Sequence, residues 1–438
     1  IRESTAGNLG EFLEKTGQVF VLDGGGAASS RISIRGSRPE QVGIYLDGHL
    51  LNDPRTGELD LKSIPIEALS RIVVRPQQDL SVGGGKSGGS VELHSGEFGG
   101  QKINAAAGSF GSYNLGLNLG TEGRDRFQFS YSQSASEGDF QFAHNGVEKI
   151  RTNDDYRSRN LYLKYIRSRE QSNISLSLHL MDSDRGAPGS IENPAPLDRV
   201  DRVVEGAVLQ GDRLLGSWKA DIHLSWFQTR TTNYAYSFYA GDTLDFTSRH
   251  KSDALEAELK FSRQDKSGAV ETGLSLQADN VTSTTLEDIE NRRDIGMYLR
   301  RRVQAGKFSL SATVRGDRYR HYGAYISSSL SAYRSHFLHR NLSLTANYSR
   351  GFSLPTFNQL FWAENVFSQP NPDLRPEKLE SWDGGISFHN GTFRASAVYF
   401  HRDIRVTIQQ MGNASKKKVR EMLADGAKLQ PVRVLNTK

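Results

Sequence analysis

The chain lacks several features that classify most proteins quickly: it has no cysteine, only 12 prolines in 438 residues, and no long apolar run. The lack of cysteine excludes disulfides but does not fix the compartment, since periplasmic and cytosolic chains can both lack it. No stretch approaches the 18 or so apolar residues of a membrane-spanning helix, which excludes a helical membrane protein. A spanning strand is not excluded, because it carries its apolar residues in alternation with polar ones.

Signs of catalysis, metal binding and nucleic-acid binding are also scarce. The sequence has no HExxH motif, and its net charge of +5 is dispersed apart from a short basic run at 416–420. A nucleic-acid binder would carry a basic stripe. We therefore predict no enzyme, no catalytic residue, no cofactor, no metal site and no nucleic-acid partner. Four acids in predicted loops could bind Ca²⁺ or could simply be solvated: Asp154, Asp155, Asp182 and Asp184.

A glycine-rich stretch at 82–89 contains Gly85-Lys86-Ser87 and invites comparison with a phosphate-binding loop. The Walker pattern requires a glycine five positions before Gly85, where the chain has Leu80. It also requires a following helix, where the chain has the strand-like SVELHS. We therefore predict a turn here rather than a nucleotide site.

Residues 1–100 differ in pattern from the rest and predict a small α+β domain. The spacing of apolar residues predicts a helix from Thr5 to Lys15, with Thr5 as its N-cap. Short apolar runs between turn residues then predict five strands: VFVL, RISIRG, VGIYLDG, RIVVRP and SVELHS.

From Gln101 onward the apolar residues recur with a period of two. Between Asn173 and Leu180, for example, Ile and Leu alternate with Asn, Ser and His. We count about 15 such strands up to residue 412, each with one apolar face and one mostly small, polar face. Short turns and long polar loops alternate strictly after the first hairpin, which is typical of outer-membrane barrels. Strands of a soluble all-β protein also alternate, so the period alone leaves both folds open.

An aromatic cluster near one strand end has three interpretations. Such a cluster suits the interfacial girdle of a membrane barrel, but a sugar-binding platform or the edge of a core would look similar. The cluster comprises Trp226, Phe227, Tyr234, Tyr236 and Tyr239.

Several segments, in a fixed order, carry a resemblance to a known family. Ile32–Gly36 (ISIRG) and Ile44–Gly48 (IYLDG) occur in the N-terminal domain. Tyr348–Phe361 (YSRGFSLPTFNQLF) and Asn371–Ile386 (NPDLRPEKLESWDGGI) occur late in the strand region. With this order and spacing the chain resembles a TonB-dependent outer-membrane receptor of the cobalamin or siderophore type, over residues 5–412.

The resemblance implies a mainly β fold in which an N-terminal α+β plug domain lies inside an antiparallel transmembrane β-barrel. The plug would comprise residues 1–100 and the barrel residues 101–412. The implied function is active uptake of a scarce solute, a corrinoid or a ferric siderophore, across the outer membrane of a Gram-negative cell. The implied partners are TonB, a small-molecule chelate and outer-membrane lipid.

The resemblance also implies two groups of functional residues. The plug apex, which would contact the solute, comprises Tyr45, Asp47, Leu51, Asn52, Asp53 and Arg55. A plug–barrel lock would comprise Arg35, Arg75 and Asp383, where the family usually has Glu at the last position. From the residues alone, Tyr45 and Asp47 could equally be turn formers, and the two arginines could be ordinary exposed strand residues.

The chain departs from the family pattern in two places. The plug turn usually contains Gly-Pro, but Pro76 follows Arg75 here. Plugged transporters have 22 strands, whereas this chain supplies about 15 or 16 and then a basic stretch at 413–438 that looks like a helix and tail. We therefore expect an incomplete barrel, truncated or altered at its C-terminus. The alternative function is a soluble or surface-exposed, β-rich glycan-binding protein without transport activity.

Overall fold

The computed structural model describes residues 8–17, 19–23, 29–66, 68–96, 99–239, 242–286, 290–362, 370–405, 407–411 and 433–437. Within these ranges the chain is mainly β, with a small N-terminal domain followed by one sheet of fifteen strands. Among the described helices, none is both long enough and apolar enough to cross a bilayer.

The N-terminal domain, the plug, is an α+β unit. Its elements are α1 (Leu9–Thr16), β1 (Phe20–Asp23), β2 (Ser30–Ser33), β3 (Gly43–Leu46), β4 (His49–Leu50), β5 (Leu69–Arg75) and β6 (Ser90–Ser95), with 3₁₀ turns at Pro39–Gln41 and Leu61–Ser63. The central sheet has the order β4-β3-β6-β5, with β3 parallel to β6. Its core is a cluster of buried aliphatic side chains.

Helix α1 begins four residues later than predicted. Asn8 is the N-cap, because its side chain accepts a hydrogen bond from the backbone N–H of Glu11, and Gly17 ends the helix with a φ of 65°. The predicted cap, Thr5, lies outside the described residues.

The rest of the described chain is almost entirely strand. Its elements, in chain order, are β7 (Gly100–Ala107), β8 (Tyr113–Gly120), β9 (Asp125–Ser136), β10 (Gln141–His144), β11 (Val147–Ile150), β12 (Tyr156–Arg169), β13 (Ser172–Gly186), β14 (Arg199–Leu215), β15 (Trp218–Tyr234), β16 (Tyr236–Tyr239), β17 (Asp242–Asp245), β18 (Ser248–Asp265), β19 (Gly268–Ser283), β20 (Glu290–Ala305), β21 (Phe308–Tyr319), β22 (Gly323–Ser335), β23 (Leu342–Ser353), α2 (Phe357–Phe361), β24 (Glu377–His389), β25 (Arg394–Arg405), β26 (Thr407–Met411) and β27 (Arg433–Thr437).

Fifteen of these strands form one antiparallel sheet, the wall, which runs in chain order from β7 to β25 and omits the hairpins β10–β11 and β16–β17. The expected count of about 15 strands is therefore confirmed. Beyond the wall, β26 pairs with β27, so residues 433–437 form a strand where a basic tail was predicted. Residues 412–432 and 438 lie outside the described ranges.

Connections at the two ends of the wall differ in length. At one end, the short-turn end, strands join through turns such as 170–171, 216–217 and 306–307; at the other, the long-loop end, the connections carry both hairpins and α2. The predicted alternation of short and long connections holds along most of the wall. It is wrong between β21 and β22, where residues 320–322 form a tight turn at the long-loop end.

The wall has its apolar side chains on the face away from the plug. On β13, Leu176 and Leu178 are 43% and 45% exposed, whereas Ser177 between them is 2% exposed. A two-layer soluble sandwich would bury the apolar face instead. The aromatic cluster is divided in the same way, because Trp226 is exposed on the outer face and Phe227 is buried against the plug.

The wall must curve around the plug, because plug residues contact strands that are far apart in the sheet. Lys164 of β12 donates to Ser95, and Arg402 of β25 donates to the backbone oxygen of Ile34. The sheet contains twelve strands from β12 to β25 when both are counted. A flat sheet would therefore place these two contacts about 53 Å apart. A domain of this size is only about 30 Å across.

Gly206 on β14 is expected to be intolerant of a side chain. A Cβ at this position would overlap the ring of Phe227, which is buried between wall and plug. Gly206→Ala should therefore lower the free energy of unfolding by about 1–3 kcal/mol, measured by urea titration of the refolded protein. Gly316→Ala on β21 is the matched control, because an added Cβ there meets no atom within 4 Å. Equal destabilisation by the two substitutions would contradict this packing argument.

Candidate functional site

Two residues of the predicted plug apex form the framework of the apical loop. The Asn52 side chain accepts from the N–H of Ile44 and donates to the backbone oxygens of Val42 and Gly57, at 2.8, 2.9 and 2.9 Å. Leu51 packs into the plug core. These contacts fix the loop between β4 and the second 3₁₀ turn.

The other predicted apex residues are divided between two cavities. Asp53 and Arg55 line a cavity of about 150 Å³ near the long-loop end, here called the upper cavity. Tyr45 and Asp47 line a cavity of about 750 Å³ near the short-turn end, here called the lower cavity. The division arises because the β3–β4 turn, which carries Asp47, points toward the short-turn end, where Gln210 donates to the Asp47 backbone oxygen.

The upper cavity is rich in guanidinium groups. Its charged lining comprises Arg31, Arg55, Arg185 and Arg202 with Asp53, Glu58 and Asp60. Arg185 pairs with Asp60 at 2.9 Å, whereas Arg55 and Asp53 approach only to 3.7 Å. In the described part of the chain, the Nε atoms of Arg55 and Arg202 are buried without a hydrogen-bond partner. Such donors suit carboxylate, phosphate or catecholate oxygens.

The lower cavity carries charges of both signs. Asp47 accepts a hydrogen bond from the N–H of Ser95 at 2.8 Å, and its other carboxylate oxygen is buried with no partner among the described residues. Burial raises the pKa of Tyr45. Burial would also raise the pKa of Asp79, but Arg300 and Ser81 outweigh it and lower that pKa to about 2. These groups favour a polar, hydrated space.

The structure brings Arg35 and Asp383 together. The Arg35 guanidinium lies 2.8 Å from the Asp383 carboxylate, which also accepts hydrogen bonds from Gln77 and Asn347 at 2.7 and 2.8 Å. The Asp383 side chain is 5% exposed and that of Arg35 is 20% exposed. The plug and the wall therefore share a largely desolvated ion pair.

The structure does not bring Arg75 to Asp383. Arg75 instead pairs with Glu92 and Asp79 of the plug itself, and Arg300 of β20 reaches Asp79. Arg75 therefore contributes to the plug–wall contact indirectly, through Asp79. Its partner could not be inferred from the apolar strand that carries it.

Motifs in the sequence did not predict a second plug–wall contact. Glu377 at the start of β24 accepts hydrogen bonds from Arg38 and Gln41, at 2.6 and 2.8 Å. Glu377 belongs to the Pro-Glu-Lys segment that carried the family resemblance, and Arg38 follows ISIRG by two positions. An acidic residue in that segment, now seen to be buried, was the feature of the sequence that could have predicted this contact.

Three of the four predicted loop acids are engaged by arginine, and Asp182 and Asp184 lie on β13 rather than in a loop. Arg199 donates to Asp155 and Asp184, and Arg151 lies 3.7 Å from Asp154. No cluster of three or more His, Cys, Asp or Glu suited to a metal ion occurs among the residues that the structure describes.

Comparisons with known proteins agree with this architecture. The family model "TonB dependent receptor-like, beta-barrel" matches residues 74–417, and "TonB-dependent Receptor Plug Domain" matches residues 1–90. Neither describes a catalytic family.

Two curated relatives are vitamin B12 transporters. That of Photobacterium profundum is 22% identical over 402 residues, which cover 87% of this chain and 62% of the transporter. That of Vibrio vulnificus is 22% identical over 430 residues, covering 92% and 66%. The chain thus spans somewhat less than two thirds of the length of these relatives.

Solved structures show the same fold. The ferric enterobactin receptor of Pseudomonas aeruginosa superposes with a TM-score of 0.77 at 15% identity, covering 99% of this chain and 74% of that receptor. The FrpB iron transporter of Neisseria meningitidis gives a TM-score of 0.76 at 14% identity, covering 94% and 72%.

Breaking the Arg35–Asp383 pair is expected to weaken the docking of the plug. Asp383→Asn or Arg35→Gln should each cost about 1–3 kcal/mol, because each leaves a buried charged group short of a partner. The double variant should cost less than the sum of the two. Protection of residues 1–100 from protease reports the effect. Arg301→Gln is the control, since Arg301 pairs with Asp265 at the exposed short-turn end and should change protection little. Additive effects of the first two substitutions would contradict a direct interaction.

His49 is expected to make plug docking sensitive to acid. Burial, followed by the neighbouring His223 and His179, lowers the pKa of His49 well below its usual value, and Glu256 lies 3.7 Å from its ring. The unfolded chain then binds more protons at this residue below about pH 6.5. The stabilisation is therefore present above about pH 6.5 and is lost as the pH falls, by up to about 1.4 kcal/mol per pH unit.

His49→Gln should flatten the fall in unfolding free energy between pH 7.5 and pH 5. His321→Gln is the control. Because His321 is exposed, this substitution should leave the dependence of the unfolding free energy on pH unchanged. Parallel curves for wild type and His49→Gln would show that His49 does not carry the effect.

Proposed function

This chain belongs to the TonB-dependent receptor family, and we propose that it is an outer-membrane receptor that takes up a scarce solute actively. The solute binds at the long-loop end, and TonB then rearranges the plug to let it pass. The observation that carries this proposal is the separate folded domain inside the wall, joined to it by side-chain contacts such as Arg35–Asp383. Among the described residues the plug strands and the wall strands form separate sheets, and one isolated antiparallel bridge, between Lys86 and Ser353, joins them, so the plug can move without breaking the wall sheet.

The solute is a corrinoid or a ferric siderophore, and the upper cavity holds an acidic part of it. Drug-sized ligands occupy about 300–1,000 Å³, so a cavity of about 150 Å³ accepts only a substituent. The long connections that follow β9, β13 and β15 surround the remainder. Asp53 and Arg55 contact the solute from the plug, Arg202 does so from the wall, and Leu51 and Asn52 hold the apical loop.

The lock residues keep the plug in register until TonB acts. Arg35 and Asp383 form a direct contact, and Arg75 pairs with Asp79, which Arg300 of the wall also reaches. An ion pair of intermediate exposure is strong enough to orient the plug, yet its net contribution is only on the order of 1 kcal/mol beyond its desolvation cost. A modest pull on the plug can therefore release it.

The outer face of the wall meets lipid. Exposed apolar side chains continue from strand to strand, as with Leu178, Leu224, Leu276 and Leu299, which are 40–57% exposed. A tilted strand crosses the hydrocarbon core with about 9–11 residues, and β12 to β20 have 14–18 residues apart from the two short hairpin strands. The proposed location is the outer membrane.

No bond is made or broken in this function, so the chain has no catalytic residues and is not an enzyme. TonB supplies the work, and the solute leaves unchanged. The polar groups of the site act only by binding and positioning.

Removing the free guanidinium donors should weaken binding of an anionic solute. Arg202→Gln and Arg55→Gln should each reduce affinity for ferric enterobactin about 10- to 100-fold, because a hydrogen bond to a charged group contributes about 1.5–3 kcal/mol. Neutral cyanocobalamin should be affected less. Affinity is measured by fluorescence quenching with the purified protein.

Arg213→Gln is the control, because Arg213 lies on β14 like Arg202 but is exposed at the short-turn end. Uptake of each probe is then compared in cells with and without TonB. Uptake that does not depend on TonB, or the absence of saturable binding to either probe, would overturn the proposed function.

A further inference from the structure

The two cavities are stacked along the same three wall strands. The wall side of the upper cavity includes Arg185 of β13, Arg202 of β14 and Thr231 of β15. Ser175, Gln210 and His223 of the same strands line the lower cavity. Arg202 and Gln210 are eight residues apart, or about 26 Å along the strand. Both cavities have the plug as their opposite side.

Three cross-strand rows of inward-facing residues separate the cavities. Strand register aligns them as Met181–Val204–Thr229, His179–Gly206–Phe227 and Ser177–Val208–Ser225. Met181, Val204, Val208 and Phe227 are buried in one apolar cluster with plug residues that include Leu46 and Leu51. We call this region the seal.

The centre of the seal is a ring-on-ring contact between plug and wall. His49 of β4 stacks on Phe227 with centroids 4.3 Å apart and an interplanar angle of 18°. His49 also hydrogen-bonds to Ser225 at 2.8 Å. His49 and Phe227 are 1% and 4% exposed, so water has little access to either ring.

The opposite arc of the wall holds the plug differently. On β21 to β25 the plug is bound through polar contacts, including Ser87–Ser353 at 2.7 Å and the Arg35–Asp383 and Arg38–Glu377 ion pairs. Both cavities that flank the seal lie away from this arc. We call β21–β25 the anchored arc; the apolar packing against the plug core lies on β13–β15, beside polar contacts such as Arg185–Asp60.

We propose that the solute crosses the protein along β13–β15 and that the His49–Phe227 contact is the gate on this route. The inference rests on the proposed function and deepens it by naming the path. A narrow apolar constriction excludes water and ions while closed, yet it opens when its side chains separate, with few hydrogen bonds to replace. The contact lies at the β3–β4 turn, so a displacement of the plug that moves this turn separates the two rings.

The lower cavity is suited to receive the solute after the gate opens. Its volume of about 750 Å³ falls within the range of whole-ligand sites. Its lining has charges of both signs, such as Asp47 and Glu258 with Arg126 and Lys260, which suits a polar solute and holds it weakly at several points. On this route Tyr45 and Asp47, predicted from sequence as apex contacts, meet the solute below the gate.

The gate can be tested by thiol accessibility, because the chain has no cysteine of its own. Ser175→Cys places one thiol in the lower cavity, and a membrane-impermeant methanethiosulfonate is added to the long-loop side of the reconstituted full chain. Phe227→Ala in this background should raise the modification rate about tenfold or more, since a factor of ten corresponds to about 1.4 kcal/mol of opening free energy. His49→Ala should act in the same direction.

Phe352→Ala is the matched control, because Phe352 is equally buried, at 2% exposed, on β23 of the anchored arc. It should leave the modification of Ser175→Cys unchanged. Equal acceleration by both phenylalanine substitutions would mean general loosening and would overturn the gate, as would no acceleration by Phe227→Ala. The assay needs neither a transported solute nor TonB. Its outcome therefore tests the gate separately from the proposed import function.

Discussion

The period-two alternation of the wall determines how every other part of this molecule is held. Because the strands turn most of their leucines and valines outward, the side chains left to face the interior are mostly polar or small. The plug therefore cannot be fixed by a continuous apolar core, as the second layer of a sandwich would be. It is held by separate hydrogen bonds and ion pairs, each of modest net strength, and can be displaced while the wall stays intact.

Among the described wall residues, those that join the apolar core of the plug lie on β13–β15. There Met181, Val204, Val208 and Phe227 face inward and join the plug core. An apolar patch on an otherwise polar inner face has a cost, since the plug must cover it to keep it from water. On the proposed route the patch lies between two cavities with polar linings, and closing such a route needs a surface that water does not wet.

Local patterns in the sequence predicted the wall well and its interior contacts poorly. The strand number and the turn lengths follow from an alternation and from turn residues that lie within a few positions of each other. Arg35 and Asp383 are 348 positions apart, and their proximity was implied by family resemblance alone. Arg75 shows the limit of that approach, since the resemblance named it but could not show that Glu92 and Asp79 are its partners.

The division of the predicted apex residues between two cavities has a similar explanation. Tyr45 and Asp53 are eight positions apart in the sequence, but the β3–β4 hairpin between them reverses the chain, so they line different cavities. The aromatic cluster that includes Trp226 and Phe227 is divided between the two faces of the wall for a different reason. Neighbours on a strand point to opposite faces, so one ring faces outward while the next forms part of the seal.

The glycine-rich segment at 82–89 connects these regions through close contacts between the plug and the wall. A Cβ on Gly84 would overlap the carboxylate of Asp317, so glycine is needed for the close approach of plug backbone to wall. Two residues on, the Lys86 ammonium donates to the backbone oxygens of Glu40 and Gly57 at 2.8 and 3.1 Å. Burial lowers the pKa of Lys86 to about 8, so it remains mostly protonated at neutral pH. Through these contacts the apical loop, the anchored arc and the turn that contacts Glu377 are all joined to one short segment. A displacement of that segment would therefore disturb the upper cavity and the anchored arc together.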